Sequence, residues 1–394
     1  MKIEKFKLKI LLKPVFLVIL LTFLAAFLRF YNLNWGAPYY SHPDERNIAS
    51  SVSQINFPEQ MNPHFFAYGS LPIYTIYFTG LVANNIQYPM SNIQYQISNV
   101  KFEDAIVISR FYSALFSVLL IPLLFSIGKK LKDEKTGLIA AFLAVTSVGF
   151  IQFAHFGTFE MWLTFFGTLL FWLCLKKVTE NTVFLMGLVF GLLVATKVSS
   201  LALLPLPLIA IFLHGKISNF KFQISNFKSE KNIGNWKLVI GNYLKFLKRL
   251  VLFLIISSSV YVISNPYVFW DTKAFQSSMR YESSVALGTL PVFYTGEFYN
   301  AIPGLFHFLF VYPFLLNPLI TMIFVPTCIY IVYRGFKTKN DSHLMLVSFF
   351  LINFLSQIFL FVKWTRYMVP TLPFVYLIIA ITGASLVQSA KAQR

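Results

Sequence analysis

Charge is scarce in this chain. Only 12% of its 394 residues are Asp, Glu, Lys or Arg, against about 25% in a soluble domain. With 57% hydrophobic residues, 45 phenylalanines and a mean hydropathy of +0.65, it has far more apolar surface than one soluble core could hide. Lipid can face such a surface, so the soluble globular class is excluded. Cysteine is almost missing too. Cys174 and Cys328 both lie inside apolar runs without metal-ligand or CxxC spacing, and read as small buried hydrophobes. No Walker loop, GxGxxG, GxSxG or HExxH occurs, which leaves a soluble nucleotide or nucleotide-sugar site unsupported. The formal net charge of +18 would suit nucleic acid, but the basic residues concentrate between hydrophobic runs and not on one amphipathic face. No nucleic-acid partner is expected.

What the chain does have is a series of apolar runs of membrane-crossing length. A bilayer core is crossed by roughly 17–25 apolar residues, fewer when flanking side chains snorkel. This predicts an all-α, polytopic transmembrane bundle with spans at 14–31, 105–127, 137–153, 161–175, 182–196, 199–214, 250–264, 315–333, 343–361 and 368–387. The Lys-rich start and first apolar run also suit a secretory signal, but no small-residue cleavage site follows, so the run is expected to stay as the first span. Two shorter stretches, 69–84 and 298–312, are interrupted by Pro or Gly and are expected to lie along the interface or re-enter, so the expected count is about ten spans, with 11–13 as the alternative.

With the N-terminus inside, the cytoplasmic pieces hold 24 of the 33 Lys and Arg residues. That asymmetry follows the positive-inside rule and puts both termini in the cytoplasm of a cell-membrane protein. A single membrane-embedded domain over 1–394 is expected, with outer loops at 32–104 and 265–314 and a basic cytoplasmic loop at 215–249. The near-repeat SNIQYQISN at 91–99 and SNFKFQISN at 218–226 falls on opposite sides of that arrangement. It reads as a tolerated loop insertion without functional weight.

The candidate chemistry lies on the outer side. His42-Pro43-Asp44-Glu45-Arg46 follows the first span. A plain helix start explains it: Ser41 and Asp44 suit a capping box, and Pro43 and the carboxylates suit a first turn. Adjacent carboxylates at a membrane face also suit a catalytic base, and a helix start is a rigid mount for one. Glu160, after His155 in AHFGTFE, enters an otherwise uncharged run; a carboxylate there is costly unless it is paired or lines a wet cavity. His155 reads as a supporting polar residue. Lys197 interrupts the apolar stretch 182–213, as a snorkelling lysine or as a site cation. Lys363 and Arg366 sit at the turn before the last span and Arg280 in the second outer loop, where they are either interface anchors or cations for an anionic head group.

Taken in order, these segments resemble the C-type membrane glycosyltransferases, in the group of protein O-mannosyltransferases and bacterial aminoarabinose transferases. The resemblance is carried by Arg29-Phe30-Tyr31 ending the first span, HPDE at 42–45, Ser109-Arg110-Phe111, AHFGTFE at 154–160, ATKVSS at 195–200, NPYVFWDTKAF at 265–275 and RYMVPTLPF at 366–374. It implies transfer of a sugar from a polyprenyl-phosphate carrier to a hydroxyl acceptor at the outer membrane face, with inversion. Asp44 matches the position of the base and Glu45 its acidic neighbour. Glu160 falls where relatives commonly have Asp, and Lys197 and Arg366 match positions that would hold the carrier phosphate. His42, Arg46, His155, Arg280 and Lys363 complete the expected substrate-binding set. Metal dependence is left open, since a divalent ion serves some relatives and not others; no other cofactor is implied. The chain is expected to end soon after the tenth span without an added soluble domain, and the insertion-like loops have no counterpart in the family pattern.

Two other function classes compete. A lipid-linked sugar flippase or transporter would carry its charges at mid-membrane within broken helices near a repeat axis. A structural membrane partner would use its outer loops only to bind.

Overall fold

A computed structural model describes residues 13–87, 99–214 and 233–392. The near-repeat segments and the first half of the basic 215–249 loop lie outside these residues, apart from Asn99 at the edge of one of them. The described chain is helical, without β-strands among the described residues beyond an isolated bridge between Asn56 and Gln60. Helix α1 (Pro14–Phe30) precedes two loop helices, α2 (Pro43–Ser53) and α3 (Ser70–Gln87). Helix α4 (Phe102–Leu131) runs for 30 residues, about 45 Å at ~1.5 Å per residue, enough to cross a bilayer and project beyond it. There follow α5 (Glu134–Val145), α6 (Val148–Ala154), α7 (Glu160–Cys174), α8 (Glu180–Thr196), a 3₁₀ turn at Val198–Leu203 and α9 (Pro205–His214). Next come α10 (Ile233–Ser264), the short α11 (Tyr267–Trp270) and the amphipathic α12 (Thr272–Leu287). A 3₁₀ turn (Phe293–Phe298) and a π turn (His307–Val311) lead to α13 (Tyr312–Leu316). Helices α14 (Pro318–Lys337) and α15 (Asp341–Ile358), a 3₁₀ turn (Thr365–Thr371) and α16 (Leu372–Ala392) complete the bundle.

The protein is a multi-pass membrane protein. Five helical segments are long and apolar enough to cross a membrane by themselves: α4, 241–264 of α10, α14, α15 and the 365–390 stretch; α5 and α6 together make a sixth. Five shorter apolar helices accompany them. Three expected spans take a different form. The run 137–153 is broken, because Thr146 and Ser147 bond locally and bend α5 against α6 by 55°. The run 199–214 opens with a 3₁₀ turn before Pro205 restarts the helix. The span expected at 250–264 is the end of a helix that begins at Ile233, inside the region expected as a loop.

Close packing is built on small residues, as suits helices that gain nothing from excluding water within lipid. Gly187 and Gly191 on α8 press against Phe253 O and Ser257 O of α10; a Cβ at either would lie at 3.0 and 2.8 Å from those carbonyls. Helix α10 is otherwise peripheral, with only 11% of its apolar window buried, whereas the last span is 72% buried and central. The break between α5 and α6 is filled by Arg29, which is fully buried at the end of α1. Its guanidinium donates to Ser117 Oγ (2.6 Å), Ala144 O (2.8 Å) and Val145 O (3.3 Å), reinforcing the carbonyl end of α5, where Ala144 O also takes the backbone N–H groups of Thr146 and Ser147.

Candidate active site

Helix α2 starts one residue later than a Ser41 capping box would require. His42 is the N-cap and makes no side-chain cap, Pro43 takes the first helical position, and Asp44 and Glu45 occupy the first turn, where the helix dipole favours carboxylates. Neighbours in sequence, these two carboxylates face different surroundings.

Glu45 points inward. Its carboxylate receives Arg110 Nε at 2.7 Å and Arg110 Nη2 at 2.8 Å, with both side chains fully buried. The guanidinium also donates from Nη1 to Leu33 O and Trp35 O, each at 2.8 Å, and lies 4.4 Å from the Trp35 ring centroid. Gly157 N donates to Glu45 Oε1 at 2.5 Å, while Ser109 and Ser113 of α4 donate to the carbonyls of Gly157 and Thr158. One buried ion pair thus ties α2, α4, the 33–35 turn and the 155–159 turn together. Only glycine fits at 157, since a Cβ would sit 2.9 Å from Ser109 Cβ and 3.2 Å from Glu45 Oε1.

Asp44 points the other way, to an ion pair with Arg366 of the 365–371 turn, and both side chains keep about a quarter of their exposure (21% and 26%). Arg366 in turn lines a cleft of about 60 Å³ together with Glu160, Lys197 and Tyr367. Its floor is polar for a membrane interior, carrying Ser199, Ser200, Asn353, Ser356 and Gln357. Lys197 leaves the end of α8 in an extended conformation, which places its ammonium 5.1 Å from the Tyr68 ring and 5.0 Å from the Tyr367 ring. Glu160, the first residue of α7, is buried, and its Oε2 has no partner in hydrogen-bonding geometry; His42 Nδ1 and Arg366 Nε are left in the same condition. Buried polar atoms in that state call for a partner, and three of them at one cleft suit a bound polar ligand.

The other expected residues are dispersed. His42 packs on Phe156 with tilted rings 4.6 Å apart at their centroids, and burial holds its imidazole below the ordinary pKa of 6.5, against Glu45 and with Arg366 and Arg110 adding to the depression. His155 bonds Ile151 O (2.8 Å) and Tyr31 O (3.0 Å), joining the ends of α1 and α6. Lys363 is buried with its ammonium on the carbonyls of Ile358, Leu360 and Phe361, where it closes the C-terminus of α15. It does not line the cleft. Arg46 and Arg280 are exposed on α2 and α12.

Four participants escaped the sequence reading as site residues. Arg110 was legible in principle, as a lone arginine in an apolar helix. Tyr68 and Tyr367 flank Lys197 without any sequence signal beyond being aromatic. Glu282 of α12 is, after Glu160, the second acidic group on which the Lys197 charge acts: burial raises its pKa and Lys197 opposes that shift. Among the described residues no three His, Cys, Asp or Glu side chains gather at metal-holding spacing. With Asp44 held by Arg366 and Lys197 beside Glu160, the residues present do not fit a protein-held metal centre.

No curated protein sequence matches this chain. The family model for dolichyl-phosphate-mannose-protein mannosyltransferases matches residues 89–225, about a third of the chain, which includes Glu160 and Lys197 but not Asp44 or Arg366. Among solved structures, the archaeal oligosaccharyltransferase AglB from Archaeoglobus fulgidus, in complex with an inhibitory peptide and a dolichol-phosphate, is similar with a TM-score of 0.54 and 15% identity, over 97% of this chain and 52% of that one. ArnT from Cupriavidus metallidurans bound to undecaprenyl phosphate is similar with a TM-score of 0.52 and 14% identity, over 96% of this chain and 62% of that one. The chain therefore spans between half and two thirds of the length of these structures. The chain is thus matched in part by the mannosyltransferase family model, and it shares the fold of both solved structures over nearly all of its own length.

Proposed function

We propose that this protein transfers a sugar from a polyprenyl-phosphate carrier to a hydroxyl acceptor at the outer face of the cell membrane, with inversion and with Asp44 as general base. The observation that carries this reading is the meeting of Glu160, Lys197 and Arg366 in one cleft, with Asp44 attached to it through Arg366. In this scheme the bond between the sugar's anomeric carbon and the phosphate oxygen breaks, and the electron pair leaves on the phosphate. Lys197 and Arg366 stabilise that developing anion. The acceptor oxygen bonds the anomeric carbon from the opposite side as Asp44 takes its proton. The resting Asp44–Arg366 pair has a use here: an arriving phosphate competes for Arg366 and frees Asp44 for the acceptor. Glu160 then faces Lys197 as the second acidic group. Glu45 acts beside them by positioning, since Arg110 and Gly157 occupy its oxygens.

Under this reading the whole chain is one membrane-embedded domain with both termini in the cytoplasm and the loops 32–104 and 265–314 outside. The excess of Lys and Arg in the opposite connections supports that orientation. A transporter reading finds a broken span in α5–α6, but Arg29 fills the break with hydrogen bonds where a transporter would bind cargo.

The test uses protein reconstituted in vesicles with a polyprenyl-phosphate hexose or pentose and a hydroxyl acceptor. Carrier-dependent product and release of polyprenyl phosphate are expected. Movement of intact donor across the bilayer without transfer would establish the transporter instead. Single cysteines beside Asp44 and Glu160 should react with an impermeant thiol reagent from the outer side of intact cells; reaction only after permeabilisation would reverse the orientation.

A further inference from the structure

A second convergence of charge lies at the end of the bundle opposite Asp44. Helix α4 starts near the Glu45–Arg110 pair and ends 30 residues later, so its last turns lie on the far side of the membrane. There Lys132 reaches α16 and donates to Ser385 Oγ at 2.8 Å and to Ile381 O at 3.4 Å. Arg334, in the last turn of α14, donates from Nη1 to the same Ser385 Oγ at 2.5 Å. Two cations thus share one neutral oxygen. Like charges this close repel, and one hydroxyl cannot neutralise them. Among the described residues neither cation has a carboxylate within ion-pair distance. The adjacent acid, Asp133, offsets part of the Lys132 charge through space, but its hydrogen bonds go elsewhere: Oδ1 accepts from Thr136 N and Oγ1 at 2.8 Å each, and Oδ2 from Gln388 at 3.2 Å.

An independent observation sits beside them. His343, near the start of α15, is 5% exposed; its ring lies beside the Leu131 backbone, but neither ring nitrogen reaches hydrogen-bonding geometry with it or with any other described group. It is held against the Arg334 helix by close packing at Gly335, where a Cβ would lie 2.9 Å from Leu344 and 3.6 Å from His343 Cβ. Arg334 Nε and Nη2 make no hydrogen bond within the described protein. The arrangement offers a guanidinium edge, an ammonium and a buried imidazole, and the acceptors that meet its two cations are all neutral: Ser385 Oγ, Ile381 O and Tyr330 Oη.

We propose that Lys132, Arg334 and His343 form a binding site for a phosphate-type anion on the membrane face opposite Asp44. A planar guanidinium and an ammonium at this spacing suit phosphate oxygens, and an unprotonated ring nitrogen or its N–H can meet a phosphomonoester proton or a phosphate oxygen. The anion is either the head group of an anionic phospholipid or free phosphate. Lipid is accommodated at the same place, since Phe336, Leu386 and Val387 are exposed around the site for acyl chains. An anion here would pin the ends of α4, α14, α15 and α16, and α16 directly continues the turn that carries Arg366.

Native mass spectrometry of the full chain, released from nanodiscs of mixed phosphatidylglycerol and phosphatidylcholine, provides the test. Wild type is expected to retain phosphatidylglycerol under activation that strips phosphatidylcholine. In Lys132→Gln/Arg334→Gln that preference should fall about tenfold, the loss of one to two charge-assisted bonds. A second arm compares thermal stability in phosphate-free detergent with added inorganic phosphate or chloride at equal ionic strength. Stabilisation by phosphate alone, lost in the double variant, assigns the site to the soluble anion; retention of phosphatidylglycerol without it assigns the lipid. Ser385→Ala keeps both cations and should keep the anion, so it tests the site even if the double variant fails to fold. An unchanged lipid preference in the double variant with no phosphate-specific stabilisation would overturn the proposal, as would complete loss of retention in Ser385→Ala.

Discussion

Breaking the Glu45–Arg110 pair should reveal how the site is held. Both side chains are fully buried, so Glu45→Leu leaves a guanidinium without its counter-charge and Arg110→Met leaves a carboxylate in the same condition. Removing one partner of such a pair typically costs about 3–5 kcal/mol. The singles also orphan backbone groups: Gly157 N–H in the first, Leu33 O and Trp35 O in the second. Each orphan adds roughly 1–3 kcal/mol where no water reaches it. The double variant keeps those orphans but contains no buried charge. It should therefore be no worse than the harsher single by more than about 1 kcal/mol, which gives a coupling energy of roughly 3 kcal/mol or more. The assay is a double-mutant cycle on unfolding of the detergent-solubilised protein, read by intrinsic tryptophan fluorescence. Costs that add within about 0.5 kcal/mol would refute the reasoning, because independent sites behave in that way. Folded single variants should also lose transfer activity, since a displacement of about 1 Å at Asp44 can cost about 10²-fold in rate.

Three further outcomes follow from the same geometry. Gly157→Ala should destabilise the protein by about 1–3 kcal/mol through overpacking against Ser109 and Glu45; wild-type thermal stability in this variant would show that the 155–159 turn is free to move. Lys197→Met and Arg366→Met should each raise the donor KM about 10- to 100-fold, the worth of a charge-assisted hydrogen bond, and leave acceptor KM nearly unchanged; an unaltered donor KM in both would remove them from the phosphate site. His42 carries a pH signature. Burial lowers its folded pKa, so the unfolded chain binds the proton more tightly. Its contribution is complete above the unfolded pKa of about 6.5 and is lost as pH falls below that value toward the folded pKa. His42→Phe should flatten the acid side of a plot of apparent Tm against pH, and an unchanged slope would contradict the assignment.

The sequence carried the bundle well where one physical rule dominated. Long, mostly apolar runs such as 102–131 and 318–337 can be little else than lipid-facing or buried helices, and their ends lie within a few residues of the expected ones. It failed where local and tertiary terms compete. The run 137–153 looks continuous because Thr and Ser are tolerated in apolar helices; the break at 146–147 becomes stable only when Arg29, more than a hundred residues earlier, supplies donors to Ala144 O and Val145 O. Site residues divide in the same way. Glu160, Lys197 and Arg366 were visible as charges placed where membranes tolerate few, and they meet in one cleft. Lys363 gave the same signal for another reason, as a cap on the carbonyls that end α15. Burial of a charge announces that it has a partner; it does not say whether the partner is substrate or backbone. Adjacent Asp44 and Glu45 could not be told apart until the turn of α2 sent one toward Arg366 and the other toward Arg110.

The central claim is that Asp44 removes the acceptor proton while the cations hold the donor. Its most direct measurement is paired donor binding and transfer by purified wild type and Asp44→Asn. The account predicts equal or tighter binding of polyprenyl-phosphate sugar in the variant, because the amide no longer competes for Arg366, with transfer slower by about 10²–10⁴-fold. Transfer by Asp44→Asn at the wild-type rate, with normal donor binding, would contradict it.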